Sequence, residues 1–235
     1  MLEPFPTTSW STILEARRSS APGSADALNR LCESYWYPLY AYARRCGSDP
    51  DDAMDLTQGY FARLIESGDL LTVDPALGRF RSFLLVSMRH FMAHVRERAG
   101  ALKRGGAATI VSLDARSAED RYSFEPVELL TPDRIFERAW ATTVVNRVIE
   151  YLEREYRASG KAVWFDALKG CLSGQAITYP EAAAELGTSE GALRVAAYRM
   201  RKRFGVLLRE ETAATVADPA EVDDELRFLL AGLSG

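Results

Sequence analysis

Apolar residues recur at three- and four-residue intervals through most of the chain, the spacing of amphipathic helices, and no strand-like alternation of useful length interrupts them. Thr8 or Ser9 can cap a short helix through Trp10, Ile13 and Leu14, ended by the loop-forming SSAPGS run. Residues 25–46 then place Leu28, Leu31, Tyr35, Leu39, Tyr42 and Ala43 on one stripe, with Pro38 as a kink or local irregularity. The neighbouring Trp36, Tyr37 and Tyr40 read as core and flank. After the Gly47–Pro50 turn, a helix over 51–66 points Ala53, Leu56, Tyr60 and Leu64 one way. The GDLLTVDPALG segment (68–78) reads as a loop, followed by a long helix over 79–99 with Phe80, Phe83, Leu84, Met88, Phe91 and Val95.

Periodicity fades between Gly105 and Thr131, which predicts a linker. It resumes at Pro132 with Ile135, Phe136, Ala139, Trp140, Val144, Val148, Leu152 and Tyr156. A helix over 162–172 carries Val163, Trp164, Leu168 and Leu172 to cradle the pair of helices after it. In ITYPEAAAELGTSEGALRVAAYRMRKRFGVLLR (177–209), Thr178 and Glu181 have capping-box spacing, so a helix starts at Tyr179 and stops at Gly187. Thr188 or Ser189 caps a second, longer helix with Leu193, Ala196, Ala197, Met200, Phe204 and Leu207 inward. Two helices joined by so short a Gly-containing turn predict a helix-turn-helix. Finally, Asp218 and Glu221 have capping-box spacing ahead of Val222, Leu226, Leu229, Leu230 and Leu233.

The expected fold is all-α: an extension (1–24), a helical domain (25–104), a linker (105–132), a helix-turn-helix domain (133–211) and an acidic tail (212–235) ending in a short amphipathic helix. A chain of 235 residues suffices for two small cores.

Charge sharpens this outline. The net charge is only −4, but basic residues crowd 79–104 and 194–209 while acids collect at 49–55 and after 210. Local patches, not the total, govern nucleic-acid binding. At about 100° per residue, Glu190, Arg194, Tyr198, Arg201 and Lys202 lie opposite the apolar stripe of their helix, with Arg199 and Arg203 on the flanks. That face is either a solvated helix back or the surface that enters a DNA major groove. Its pairing with a short capped helix and a Gly turn favours DNA. Arg79, Arg81, Arg89, Arg96 and Arg98 cover the longer helix as a phosphate-contacting surface. Asp51, Asp55, Gln58 and Ala62, flanked by Asp52 and Gly59, form a polar face. It is solvent surface or a docking face for a basic partner helix, since Gly59 and Ala62 allow close approach.

Other chemistries find little support. The three cysteines, Cys32, Cys46 and Cys171, have no paired or metal-like spacing and sit in apolar helical patterns, so free thiols in a reducing cytoplasm are expected. His90 and His94 lack the further ligands that zinc needs. No membrane-length apolar run, signal pattern, nucleophile–base constellation or nucleotide-binding loop is visible. The expectation is a protein without enzymatic activity, cofactor, metal or membrane insertion.

Three motifs carry a family resemblance. DDAMDLTQGYFARL (51–64) resembles the acidic polymerase-binding helix of bacterial sigma-70 factors, with Met54 where that family usually has Glu. GRFRSFLLVSMRHFMAHVRERAG (78–100) resembles its promoter-melting and recognition helix, and 179–208 resembles its C-terminal helix-turn-helix. Their order and linker are similar to those of the two-domain extracytoplasmic-function group, over roughly 25–104 and 133–211.

The resemblance implies that Asp52, Asp55, Leu56 and Gln58 dock on core RNA polymerase. It implies that the 68–78 loop captures a flipped base of the downstream promoter element. Arg81, Arg89, His90, His94, Arg96 and Arg98 would hold promoter DNA there, with His90 and His94 in place of the Asn and Asp often found. Glu190, Gly191, Arg194, Tyr198 and Arg201 would read the upstream duplex, with Lys202 beside them. The implied activity is promoter-directed initiation of transcription, under an anti-sigma protein, a kinase or the tail as regulator. The alternative is a helix-turn-helix regulator acting without polymerase, its first half a sensing or dimerisation domain. A helical adaptor docking through its acidic tail leaves the basic recognition helix unexplained. The tail itself can fold over a basic surface or cap the C-terminal core.

Overall fold

The computed structural model describes residues 24–67, 79–99, 115–125, 130–213, 215–216 and 218–234. The expected short helix near Trp10 and the 68–78 loop lie outside them. Among the described residues every regular element is helical: α1 (Ser24–Arg45), α2 (Pro50–Glu66), α3 (Phe80–Ala99), α4 (Ala115–Ser123), α5 (Pro132–Ala158), α6 (Ala162–Leu168), α7 (Tyr179–Glu185), α8 (Glu190–Ala213) and α9 (Val222–Ser234). Short 3₁₀ turns follow α6 and precede α9. The described residues divide into two compact units, one of residues 24–143 with 212–234, the other Val144–Glu211.

In the first unit, α1 runs unbroken through Pro38, and Tyr35, Trp36, Tyr37, Tyr40 and Tyr42 are all buried. Asp49 caps α2 by accepting from the Asp52 N–H at 2.8 Å, and Pro50 occupies the first turn, where its missing N–H is harmless. Tyr60 on α2 reaches Ser87 Oγ on α3 at 2.5 Å. The Phe91 ring edge lies 3.3 Å from where a Cβ on Gly59 would stand. That small residue therefore serves packing of α2 on α3 within the chain, rather than a partner's approach. Leu84, Met88, Phe136, Trp140 and Leu229 complete the core.

The expected linker contains structure. Helix α4 sits within it, its Glu119 accepting from Tyr40 Oη at 2.6 Å and from Arg44 Nε at 2.9 Å, while Arg121 lies 3.6 Å over the Tyr37 ring. Hydrogen bonds from Arg44 hold the Glu119 carboxyl below its ordinary range. These partners are distant in sequence, so a nine-residue helix with little apolar periodicity gains its stability from α1.

In the second unit, Val148, Leu152, Phe165, Leu168, Ala183, Leu193, Ala197, Met200 and Leu207 are buried. The inward residues of α6 are Phe165 and the expected Leu168, whereas the expected Val163 is exposed. Helix α7 starts at Tyr179, but Thr178 makes no side-chain cap, so the capping box does not form. The stop at Gly187 does: φ is +61°, Thr188 N–H donates to Ala183 O at 2.9 Å and Gly187 N–H to Ala184 O at 3.2 Å, the paired bonds of a Schellman ending. Ser189 Oγ then accepts from the Ala192 N–H at 3.2 Å and opens α8.

Candidate nucleic-acid interface

Helix α8 presents the clearer surface. Leu193, Ala197, Met200 and Leu207 are fully buried, which fixes the rotation of the helix and turns Arg194, Tyr198, Arg201 and Lys202 outward. Tyr198 is 61% exposed. Gly191 and Arg199 are also exposed, and Glu190 is half-buried. Arg194 is not adrift: Nη2 and Nε donate to Glu190 Oε1 at 2.5 and 3.0 Å, and its guanidinium lies 4.5 Å from the Tyr179 ring centroid. An aromatic face and a carboxylate one helical turn away position the guanidinium at the exposed first turn of α8. Arg203 turns away from this face and donates to both Glu155 oxygens at 2.5 and 3.0 Å. Beside α8 lies a groove of about 640 Å³ lined by Tyr156, Trp164, Val195, Arg199 and Arg203 among others.

Helix α3 is different. His90, His94, Arg96 and Arg98 are exposed as expected. Arg89 is exposed too, but it is engaged: Nη2 donates to Asp133 Oδ1 and Oδ2 at 3.0 and 3.1 Å, and Nε to Tyr42 Oη at 3.3 Å. Arg96 donates to the Cys46 carbonyl at 3.3 Å. The expectation of a surface position is corrected at Arg81, which is only 5% exposed. Its guanidinium lies 4.1 Å from the Phe228 ring and 4.9 Å from that of Trp140, and Nη1 donates to Glu225 of α9. Arg79 Nε stands 2.9 Å from the other Glu225 oxygen. Burial lowers the Arg81 pKa and raises that of Glu225, each charged form losing hydration. A cleft of about 460 Å³ opens among Tyr60, Arg63, His90, Phe91 and His94, on α2 and α3.

The acidic face of α2 carries Asp52 and Asp55 exposed, with Leu56 and Gln58 half-buried. Sequence patterns missed Asp133 and Glu225 as partners of the α3 arginines. For Glu225 a signal existed, since it shares the stripe of Val222 and Leu229, and an acid on an apolar face calls for a buried cation. Nothing local marks Asp133.

The three thiols are free, Cys32 buried and its pKa pushed up to about 11 by desolvation. Among the described residues no three His, Cys, Asp or Glu side chains gather as metal ligands, and no helix is long and apolar enough to cross a membrane. Comparison with protein-family models, curated proteins and solved structures returned no match.

Proposed function

We propose that the chain is a sigma factor that directs core RNA polymerase to specific promoters and initiates transcription. The observation that carries the reading is the outward row Arg194, Tyr198, Arg201 and Lys202 on a helix whose opposite side is anchored by buried Leu193, Ala197 and Met200. Helices α7 and α8 then act as a helix-turn-helix, with α8 in the major groove of the upstream element and its first turns nearest the bases. Asp52 and Asp55 keep carboxylates in solvent for docking to polymerase, with Leu56 and Gln58 at the edge of that contact. His90, His94, Arg96 and Arg98 hold DNA of the downstream element, Arg89 joining them when it leaves Asp133.

No covalent chemistry is involved. Binding energy from two DNA surfaces and one protein surface traps melted promoter DNA. The test is transcription in vitro from a promoter library by core polymerase with the purified chain. Selective initiation, weakened by Asp55→Arg while upstream DNA binding persists, supports the reading. Duplex binding with no effect on polymerase would instead favour a helix-turn-helix regulator. The internal pairing of Arg81 and Arg89, which narrows the α3 surface, fits that second reading too.

A further inference from the structure

The anion at the start of α3 belongs to the chain itself. Arg79 and Arg81 converge on one carboxylate, that of Glu225, which is completely buried. Arg81 donates to one oxygen, while Arg79 Nε lies 2.9 Å from the other without a hydrogen bond to it; two guanidinium groups around one anion form the arrangement that also receives a phosphate group. The Phe228 ring, one turn along α9, covers the Arg81 guanidinium and shuts it from solvent.

Helix α9 rests on a short apolar stripe. Val222 and Leu229 are its buried apolar residues, whereas Leu230 is 47% exposed. Arg138 Nη1 lies 3.5 Å from the Leu233 carbonyl, at the edge of hydrogen-bond distance. A Cβ on Gly232 would stand 3.5 Å from Ala141 Cβ and 3.5 Å from the Glu137 carbonyl, so α9 lies close on α5 here and a large side chain would not fit. Desolvation of both Arg81 and Glu225 offsets much of their attraction, which makes the buried pair a weak fastening for its position.

We propose that α9 is a releasable strap whose Glu225 carboxylate occupies, in the free chain, a site that Arg79 and Arg81 offer to the phosphate backbone of single-stranded DNA. DNA and the strap then compete for the same two guanidinium groups. The inference rests on the reading of the first unit as a DNA-contacting body. It adds that access to the first turn of α3 is governed by the last helix of the chain.

The experiment uses the full chain and a single-stranded oligonucleotide at low salt, with amide hydrogen exchange and fluorescence anisotropy. DNA should slow exchange across 79–99 and speed it across 222–234. Glu225→Gln should bind about tenfold more tightly, the effect of regaining phosphate contacts, and Arg81→Ala in that background should remove the gain. Gly232→Trp, which wedges α9 away without touching the arginines, should show the same gain and guards against a folding defect in Glu225→Gln. Protection of 79–99 with slow exchange retained across 222–234, or unchanged affinity in both variants with native circular dichroism, overturns the strap and leaves DNA contact standing. Absence of binding by the wild type and both variants overturns the strap and the DNA-contacting role of the first unit together.

Discussion

Helices α3 and α8 carry similar densities of arginine, yet the chain treats the two sets differently. On α8, Arg194, Arg201 and Lys202 stand in solvent opposite a buried stripe, and the acid that holds Arg194 is its own helical neighbour Glu190. Arg79, just before α3, and Arg81 on it meet Glu225, and Arg89 of α3 meets Asp133, acids that come from α9 and α5. An i,i+4 pair leaves an arginine on the surface, where it exchanges partners at small cost. A buried partner from a distant segment, as Glu225 is for Arg81, removes it from use until that segment moves, whereas the exposed Arg89–Asp133 pair exchanges at small cost. The basic face of α8 is therefore open to solvent as folded, and that of α3 is partly occupied.

The contrast can be broken first at its foundation. Leu193 is fully buried beneath the outward basic face of α8. Leu193→Ala should cost about 2–5 kcal/mol in unfolding free energy by denaturant titration, with loss of duplex binding as the helix loses its seat.

The next effect is pH-dependent. Glu211, near the end of α8, is buried beside Arg147, and desolvation raises its pKa to about 7. The folded chain then keeps a proton that the unfolded chain releases, so this group's contribution to stability falls as pH rises from about 4.5 to about 7. The loss is on the order of 3 kcal/mol at most. Glu211→Gln should flatten that part of the stability–pH curve relative to wild type. An unchanged slope would show that Glu211 titrates normally.

Arg194→Ala comes third, at about 1–3 kcal/mol in duplex affinity if the fork reads a base. A loss uniform across upstream sequences would assign it to phosphate instead. Arg201→Ala should lower the salt slope of binding by about one, as expected for a phosphate contact. The smallest effect sharpens the α3 side. Asp133→Ala breaks an exposed ion pair and should change stability by about 0–1 kcal/mol. By releasing Arg89 it should nonetheless tighten single-stranded binding measurably.

The same distinction decides how much was legible in the sequence. Stripes such as Leu193–Ala197–Met200 and Ile135–Phe136–Ala139–Trp140 are local, and helical periodicity finds them; the outward face of α8 comes by rotation. Gly187 announced its turn because only a residue tolerant of positive φ ends a helix in that way. Features that stayed hidden depended on distant partners. Helix α4 has few apolar residues and is held through Glu119 and Arg121 to α1, so it read as linker. Thr178 had the spacing of a cap but not the backbone geometry. Arg81 read as surface because it falls outside the apolar set of its helix and its counter-charge lies 144 residues away. The proposed docking of Asp52 and Asp55 to polymerase rests on resemblance and on their exposure.

Permanganate footprinting of a selected promoter fragment, with core polymerase and the full chain, tests the division of labour most directly. Upstream protection together with reactive thymines in the downstream element is expected, both lost when the chain is omitted. Arg194→Ala should weaken the upstream footprint and Asp55→Arg should abolish the reactive thymines. Thymines that open without the chain, or remain closed in its presence on every promoter tried, would contradict its proposed role in initiation.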